Sequence, residues 1–398
     1  MRSRGATLPT LSALLKAHSA ILDPKWIPET PKQLGYLQGG FMGAFRKWCL
    51  FPRPYKAALS LALSATLLGG SLYESQALPP SDKEITSTGL ADIFTPKQPI
   101  PYELLGLNAF VNDRRFGSVK SQMNEVRNTL GIKRVRVLLH WNDSVQPTPR
   151  ATPFFAFYDE IIRSLPRGSE ALIILTGTPS WMNDSRNWIA GNPRKTFIEL
   201  WAKRIAARYA RQRRVTAYQI WNEPNNPSFS ENQTLDVLTK PENYVELLAL
   251  AHTALKAIAP TKGVINGATT AIAQNFPATL DYNRAMVSAG ALSFTDAYAI
   301  HYYGKNAERV LFGGIADFLN SIPKPLWITE SGAQGAGKQL DYAQRIFPFL
   351  KTQVPGISRV YIYQFTESSP ATTTYGLRNL TPGLSVSDLY INLRERPR

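Results

Sequence analysis

Two carboxylates in this 398-residue chain stand where chemistry could be done. Glu223 lies in "YQIWNEPNNP" and Glu330 in "LWITESG", each directly after an apolar, aromatic-rich run that reads as a β-strand. A pair of carboxyl groups, one protonated and one ionised at the same pH, can drive displacement at an acetal carbon, with one acting as acid and the other as nucleophile or base. Trp221 and Pro224 flank Glu223, but neighbours along the chain do not say which carboxyl keeps its proton. Other polar or aromatic residues close similar runs: Asn108 after "LLGLN", Arg136 within "RVRVLLHW", His301 and Tyr303 in "IHYY", and Glu367 after "VYIYQF". Trp141, Trp181 and Trp188 lie at or beyond strand ends, where a flat ring could stack on a sugar face or pack into the core.

Something must hold these residues together, and the pattern of the chain suggests what. Eight strand-like runs begin near Leu104, Arg134, Ala171, Thr216, Gly263, Ala297, Leu326 and Val360. Segments of helical period lie between them. Val119, Met123, Val126 and Leu130 form one stripe, Phe197, Trp201, Ile205 and Tyr209 another, and Leu340, Ala343, Phe347 and Leu350 a third. This alternation predicts a (β/α)₈ TIM barrel over residues 104–398, closed by a last helix in "DLYINLRER". Such barrels do their chemistry at the C-terminal ends of the strands. Glu223 would emerge from the fourth strand and Glu330 from the seventh, facing each other across the mouth. A separation of about 5 to 5.5 Å there would suit a retaining double displacement.

Composition narrows the partners. Hydrophobic residues at 44% and charged residues at 19% describe a globular chain. Of the net charge of +16, residues 1–56 supply +7, from nine Lys/Arg against Asp23 and Glu29. The rest is diffuse, and the "RQRR" at Arg211 to Arg214 reads as the solvated end of a helix, so nucleic acid is not an expected partner. An acidic glycan is a better match for diffuse positive charge. Cys49 is the only cysteine, and the four histidines show no metal-binding spacing. "GAQGAG" at Gly332 follows the seventh strand and runs into Lys338 and then Gln339, where a phosphate loop needs Ser or Thr, so neither a metal nor a nucleotide cofactor is indicated.

The chain begins with a basic region, residues 1–56, followed by the uncharged stretch Ala57 to Tyr73. This is the order of a signal peptide or signal anchor over residues 57–77, with "SQA" ending at Ala77 as the cleavage signal. Met42 offers an internal start that would bring the signal to the N-terminus and leave residues 1–41 untranslated. Residues 78–103 read as linker and lead-in. The expectation is export, with the barrel periplasmic, secreted or held outside the cytoplasm on a membrane anchor.

"WNEPN" at Trp221 and "ITESG" at Ile328, with "HYY" at His301 between them, resemble the clan A retaining glycoside hydrolases. "GIKRVRVLLHW" at Gly131 and "TPSWMN" at Thr178 resemble the family 39-like group, which includes β-xylosidases and bacterial exopolysaccharide endoglycosidases. The likeness runs from about Leu104 to Leu393. It implies that Glu223 is the acid/base and Glu330 the nucleophile, that Asn222 binds the sugar 2-hydroxyl, and that Arg136 keeps the nucleophile ionised. It also implies that His301 and Tyr303 donate around the nucleophile and substrate, which would be a polysaccharide or oligosaccharide. Many clan members end the eighth strand with a Trp that floors the cleavage subsite; here Tyr363, Gln364 and Phe365 stand in that region. Two other functions share these features: a transglycosylase, and a non-catalytic glycan-binding barrel in envelope or exopolysaccharide assembly.

Overall fold

The computed structural model describes residues 92–397. The basic region, the signal or anchor segment and most of the lead-in lie outside the described residues. Among those described, no helix is long and apolar enough to cross a membrane.

All eight expected strands form: β1 (Leu105–Asn108), β2 (Arg134–His140), β3 (Glu170–Thr176), β4 (Val215–Ile220), β5 (Gly263–Asn266), β6 (Tyr298–His301), β7 (Leu326–Ser331) and β8 (Ile357–Ile362). They pair in parallel in the order β5-β4-β3-β2-β1-β8-β7-β6. A single parallel bridge, Ile265 to Ala297, joins the two end strands and completes the (β/α)₈ barrel.

Strand periodicity sorts side chains between two layers. On β2, Val135, Val137 and Leu139 join the large core under the helices, while Arg136 and Leu138 face the barrel axis. On β3, Ala171, Ile173 and Leu175 pack outward, and Leu172 and Ile174 inward. The lower interior is filled by Leu172, Ala217, Ile265, Ala299, Trp327 and Tyr361, with the Arg359 guanidinium 4.0 Å from the Trp327 ring centre. A packed interior leaves only the mouth for chemistry.

The expected helical stripes also appear. Ser118 caps Val119–Asn124 by accepting from the Ser121 N–H, and Asn192 caps Pro193–Phe197, whose Pro193 needs no donor at that position. The latter runs on through a wider turn, Ile198–Ala202, into Lys203–Tyr209. Gln339–Gln353 packs beside β8 and the closing helix Asp388–Glu395.

Candidate active site

Strand register decides which polar residues meet. Asn108 pairs with Arg136 across β1 and β2, so both side chains emerge at the same height in the barrel. Beyond Ile220 the chain takes left-handed backbone at Trp221 (φ 73°) and Glu223 (φ 45°), conformations that side-chain-bearing residues rarely adopt. Two bonds hold this turn. The Trp221 N–H donates to Leu175 O (2.8 Å), and the Glu223 N–H to Ala268 O (2.8 Å). Gly267 lets β5 approach, since a Cβ there would lie 2.7 Å from Ile220 O.

At the centre is Arg136, wholly buried. Its Nη1 donates to Glu330 Oε1 (2.5 Å) and to Asn108 Oδ1 (2.8 Å), its Nε to Gln219 Oε1 (2.7 Å), and its Nη2 to Asn222 Oδ1 (2.7 Å). A buried guanidinium of this kind is tolerable only because each of its three nitrogens donates and a carboxylate balances its charge. Tyr303 donates to the other oxygen of Glu330 (3.0 Å). Glu330 therefore has a permanent cation on one oxygen and a hydroxyl donor on the other.

Glu223 has different surroundings. It is also wholly buried, and its partners are the Asn226 amide on Oε2 (2.7 Å) and His301 Nδ1 beside Oε1 (3.0 Å). Burial pushes its carboxyl up to about 7, against the opposing pull of the Asn226 hydrogen bond and the Arg136 charge. Burial pushes His301 down to about 4, although nearby Glu330 favours its protonation, so the ring is neutral at neutral pH. Its Nε2 lies 3.5 Å from Glu330 Oε1. The tautomer that suits both neighbours carries its proton on Nε2, toward Glu330, and accepts the Glu223 proton at Nδ1. His301 thus hydrogen-bonds Glu223, while its Nε2 stands near Glu330 without a hydrogen-bond partner.

One oxygen from each carboxylate and one His301 nitrogen lie within 4.8 Å of one another. Among the described residues this is the one group with metal-ligand spacing, but Arg136 already supplies a cation there. The Nδ2 of Asn222 is buried without a hydrogen-bond partner, leaving a donor beside the two carboxyls for a substrate hydroxyl.

Of the residues singled out in the sequence, Glu223, Glu330, Asn222, Arg136, His301, Tyr303 and Asn108 come together. Trp141 does not. It shares the outward parity of Val137 and Leu139, has no exposure, stacks on Trp201 at 6.1 Å and donates to Gln146 (3.0 Å). It is a core residue, and its expected place against substrate is corrected. Trp181 meets the edge of Trp141 at 5.2 Å and is half-buried, and its indole and that of Trp188 both donate to backbone carbonyls. At β8, Tyr363 takes the inward place, whereas Phe365 joins the outer core. Tyr363 stands in an apolar collar with Phe110, Ile174, Ala271, Tyr303 and Tyr375. Sequence reading had missed Gln219, Asn226, Phe110 and Tyr375. A lone Gln inside an apolar strand was a usable signal for the first; the loop residue Tyr375 offered none.

Its family match, on an eight-stranded barrel, makes this chain a clan A glycoside hydrolase. It matches the cellulase family, glycosyl hydrolase family 5, over residues 96–364, and belongs to that family. No curated protein matches it in sequence. Solved structures similar to it include a family 39 glycoside hydrolase from the gut symbiont Bacteroides cellulosilyticus WH2, at 17% identity and a TM-score of 0.53, covering 74% of this chain. The chain spans 63% of that enzyme's length. A monomeric beta-xylosidase from Caulobacter crescentus CB15 has 17% identity and a TM-score of 0.53, covering 75% of this chain and 69% of its own. An endoglucanase from the hyperthermophilic Thermotoga maritima has 19% identity and a TM-score of 0.50, covering 74% and 96%. At these identities the likeness speaks for the fold alone.

Proposed function

We propose that this glycosidase works by double displacement on a polysaccharide or oligosaccharide, with Glu330 as nucleophile and Glu223 as acid/base. The observation that carries this reading is the contrast between two buried carboxyls within 4.8 Å: one bound by Arg136 and Tyr303, the other raised to about 7 by burial. Glu330 attacks the anomeric carbon while Glu223 protonates the departing oxygen. Water then enters with Glu223 as base, and the configuration is retained. The free Asn222 donor is suited to the 2-hydroxyl, where a hydrogen bond strengthens as the oxocarbenium-like transition state forms. We also propose export through residues 57–77; an intact mass for the mature chain that includes them would exclude cleavage after Ala77.

The test is release of reducing ends from a panel of plant and bacterial polysaccharides and aryl glycosides, with Glu330→Gln beside the parent. Turnover by the parent alone, with first-formed product of unchanged anomeric configuration by NMR, is the expected result. Inverted product would refute the double displacement. Equal silence from both proteins, with binding to one glycan kept, would indicate the non-catalytic barrel for that glycan.

A further inference from the structure

Glu367, just past β8, is too elaborately bonded for an ordinary loop carboxylate. Its Oε2 accepts from Thr374 Oγ1 (2.8 Å), the Tyr375 N–H (2.5 Å) and the Gly376 N–H (3.3 Å). From the other side, Gln339 Nε2 donates to Thr374 O (3.4 Å) and Gly376 O (3.2 Å), and the Gly335 N–H to Thr374 O (2.8 Å). Gly376 is required for this closeness, because a Cβ would strike the Arg378 carbonyl. All three residues of the segment are therefore gripped by their backbone, and the side chain of the middle one, Tyr375, is set in place.

That ring reaches the active site. Its centre lies 5.6 Å from Tyr303 and 5.7 Å from Tyr363, edge to face in both cases. Tyr303 in turn donates to Glu330 Oε2. A phenol can rotate about its bonds, so its hydroxyl stays on the carboxylate only if its ring is braced. Tyr363 and Tyr375 are the braces, and the backbone of Tyr375 is held by a buried carboxylate.

We propose, on the footing that Glu330 is the nucleophile, that Glu367 is a positioning residue for the glycosylation step, acting through Tyr375 and Tyr303. The contact runs Glu367 to Tyr375 backbone, Tyr375 ring to Tyr303 ring, and Tyr303 hydroxyl to Glu330. Losing a hydrogen bond to a charged group at the reacting centre lowers the rate about ten- to a hundredfold, and loosening its brace lowers it by a part of that.

The experiment uses a glycosyl fluoride with fluorine in place of the hydroxyl next to the anomeric carbon, built on the sugar of the best aryl glycoside. Glu330 attacks that carbon, a C–O bond forms, the C–F bond breaks and fluoride leaves. Peptide mass mapping then finds the label. Inactivation rates are compared for the full-length parent, Glu367→Gln, Tyr375→Leu, Tyr303→Phe and the two double variants with Tyr303→Phe. Glu367→Gln and Tyr375→Leu should each slow labelling about tenfold in the parent, and by less than about twofold once Tyr303 is Phe. Equal slowing in both backgrounds, or none in the parent, would overturn the proposal while leaving Glu330 as nucleophile. Absence of label on Glu330 in the parent would overturn both. Tyr375→Leu leaves the Glu367 backbone bonds available, so it decides the matter if Glu367→Gln fails to fold.

Discussion

Replacing Glu223 with Gln removes the one carboxyl whose folded and unfolded proton affinities differ most plainly in the site. Its ordinary value is 4.5 and burial raises it to about 7. A group held protonated in the fold contributes stability that is fully present below pH 4.5 and is lost as pH rises to 7, where charging a buried carboxyl opposes folding. The difference corresponds to roughly 3 kcal/mol above pH 7. Glu223→Gln should therefore unfold at a temperature on the order of 5 °C above the parent at pH 8, with the gain vanishing by pH 4. The activity of the same variant reads the same proton. In the parent, kcat/KM should fall tenfold per unit as pH rises beyond about 7, because the acid is no longer protonated. On aryl glycosides with poor leaving groups, which need the acid, that basic limb should be present in the parent and vanish in the variant. Turnover of natural linkages should drop by about 10² to 10⁴. Thermal unfolding and rate profiles between pH 4 and 9 measure both. A basic limb that persists unchanged in the variant would refute the assignment of Glu223, and a stability difference independent of pH would refute its buried, protonated state.

Arg136→Met should lower kcat by more than about a hundredfold and destabilise the fold by about 3 to 5 kcal/mol, because Glu330, Asn108, Asn222 and Gln219 all lose their partner; denaturant titration beside kinetics would register both. Trp141→Ala should cost about 3 to 5 kcal/mol of stability with KM unaltered, and a selective rise in KM would return Trp141 to the substrate. Exhaustive treatment with a chelator should leave kcat/KM as it was, since Arg136 occupies the cationic role between the carboxyls; loss of activity restored by one divalent ion would assign Glu223, His301 and Glu330 to that ion.

How much of this was legible beforehand depended on the range of each signal. The eight strands follow from short apolar runs, and Glu223 and Glu330 from their places at the ends of two of them. Parity within β2 was also readable in principle: Arg136 and Trp141 differ by an odd number of positions, so they belong to opposite faces. Applied to Trp141, that rule chooses core packing over a place against substrate, the two alternatives its position after β2 leaves open.

The sequence by itself determined the barrel and the polar strand ends on which both carboxyls stand, because strand alternation and helical period act over a few residues. Only the tertiary structure decided how those carboxyls differ. The Arg136 to Glu330 contact joins residues 194 apart, and the His301 to Glu223 contact residues 78 apart. Burial is likewise a property of the closed barrel, and it is burial that holds Glu223 near 7. The grip of Glu367 on the Tyr375 segment arose the same way, from backbone groups that carry no sequence mark. Long-range desolvation and hydrogen bonding set proton affinity, and neither exists until the strands have closed on one another.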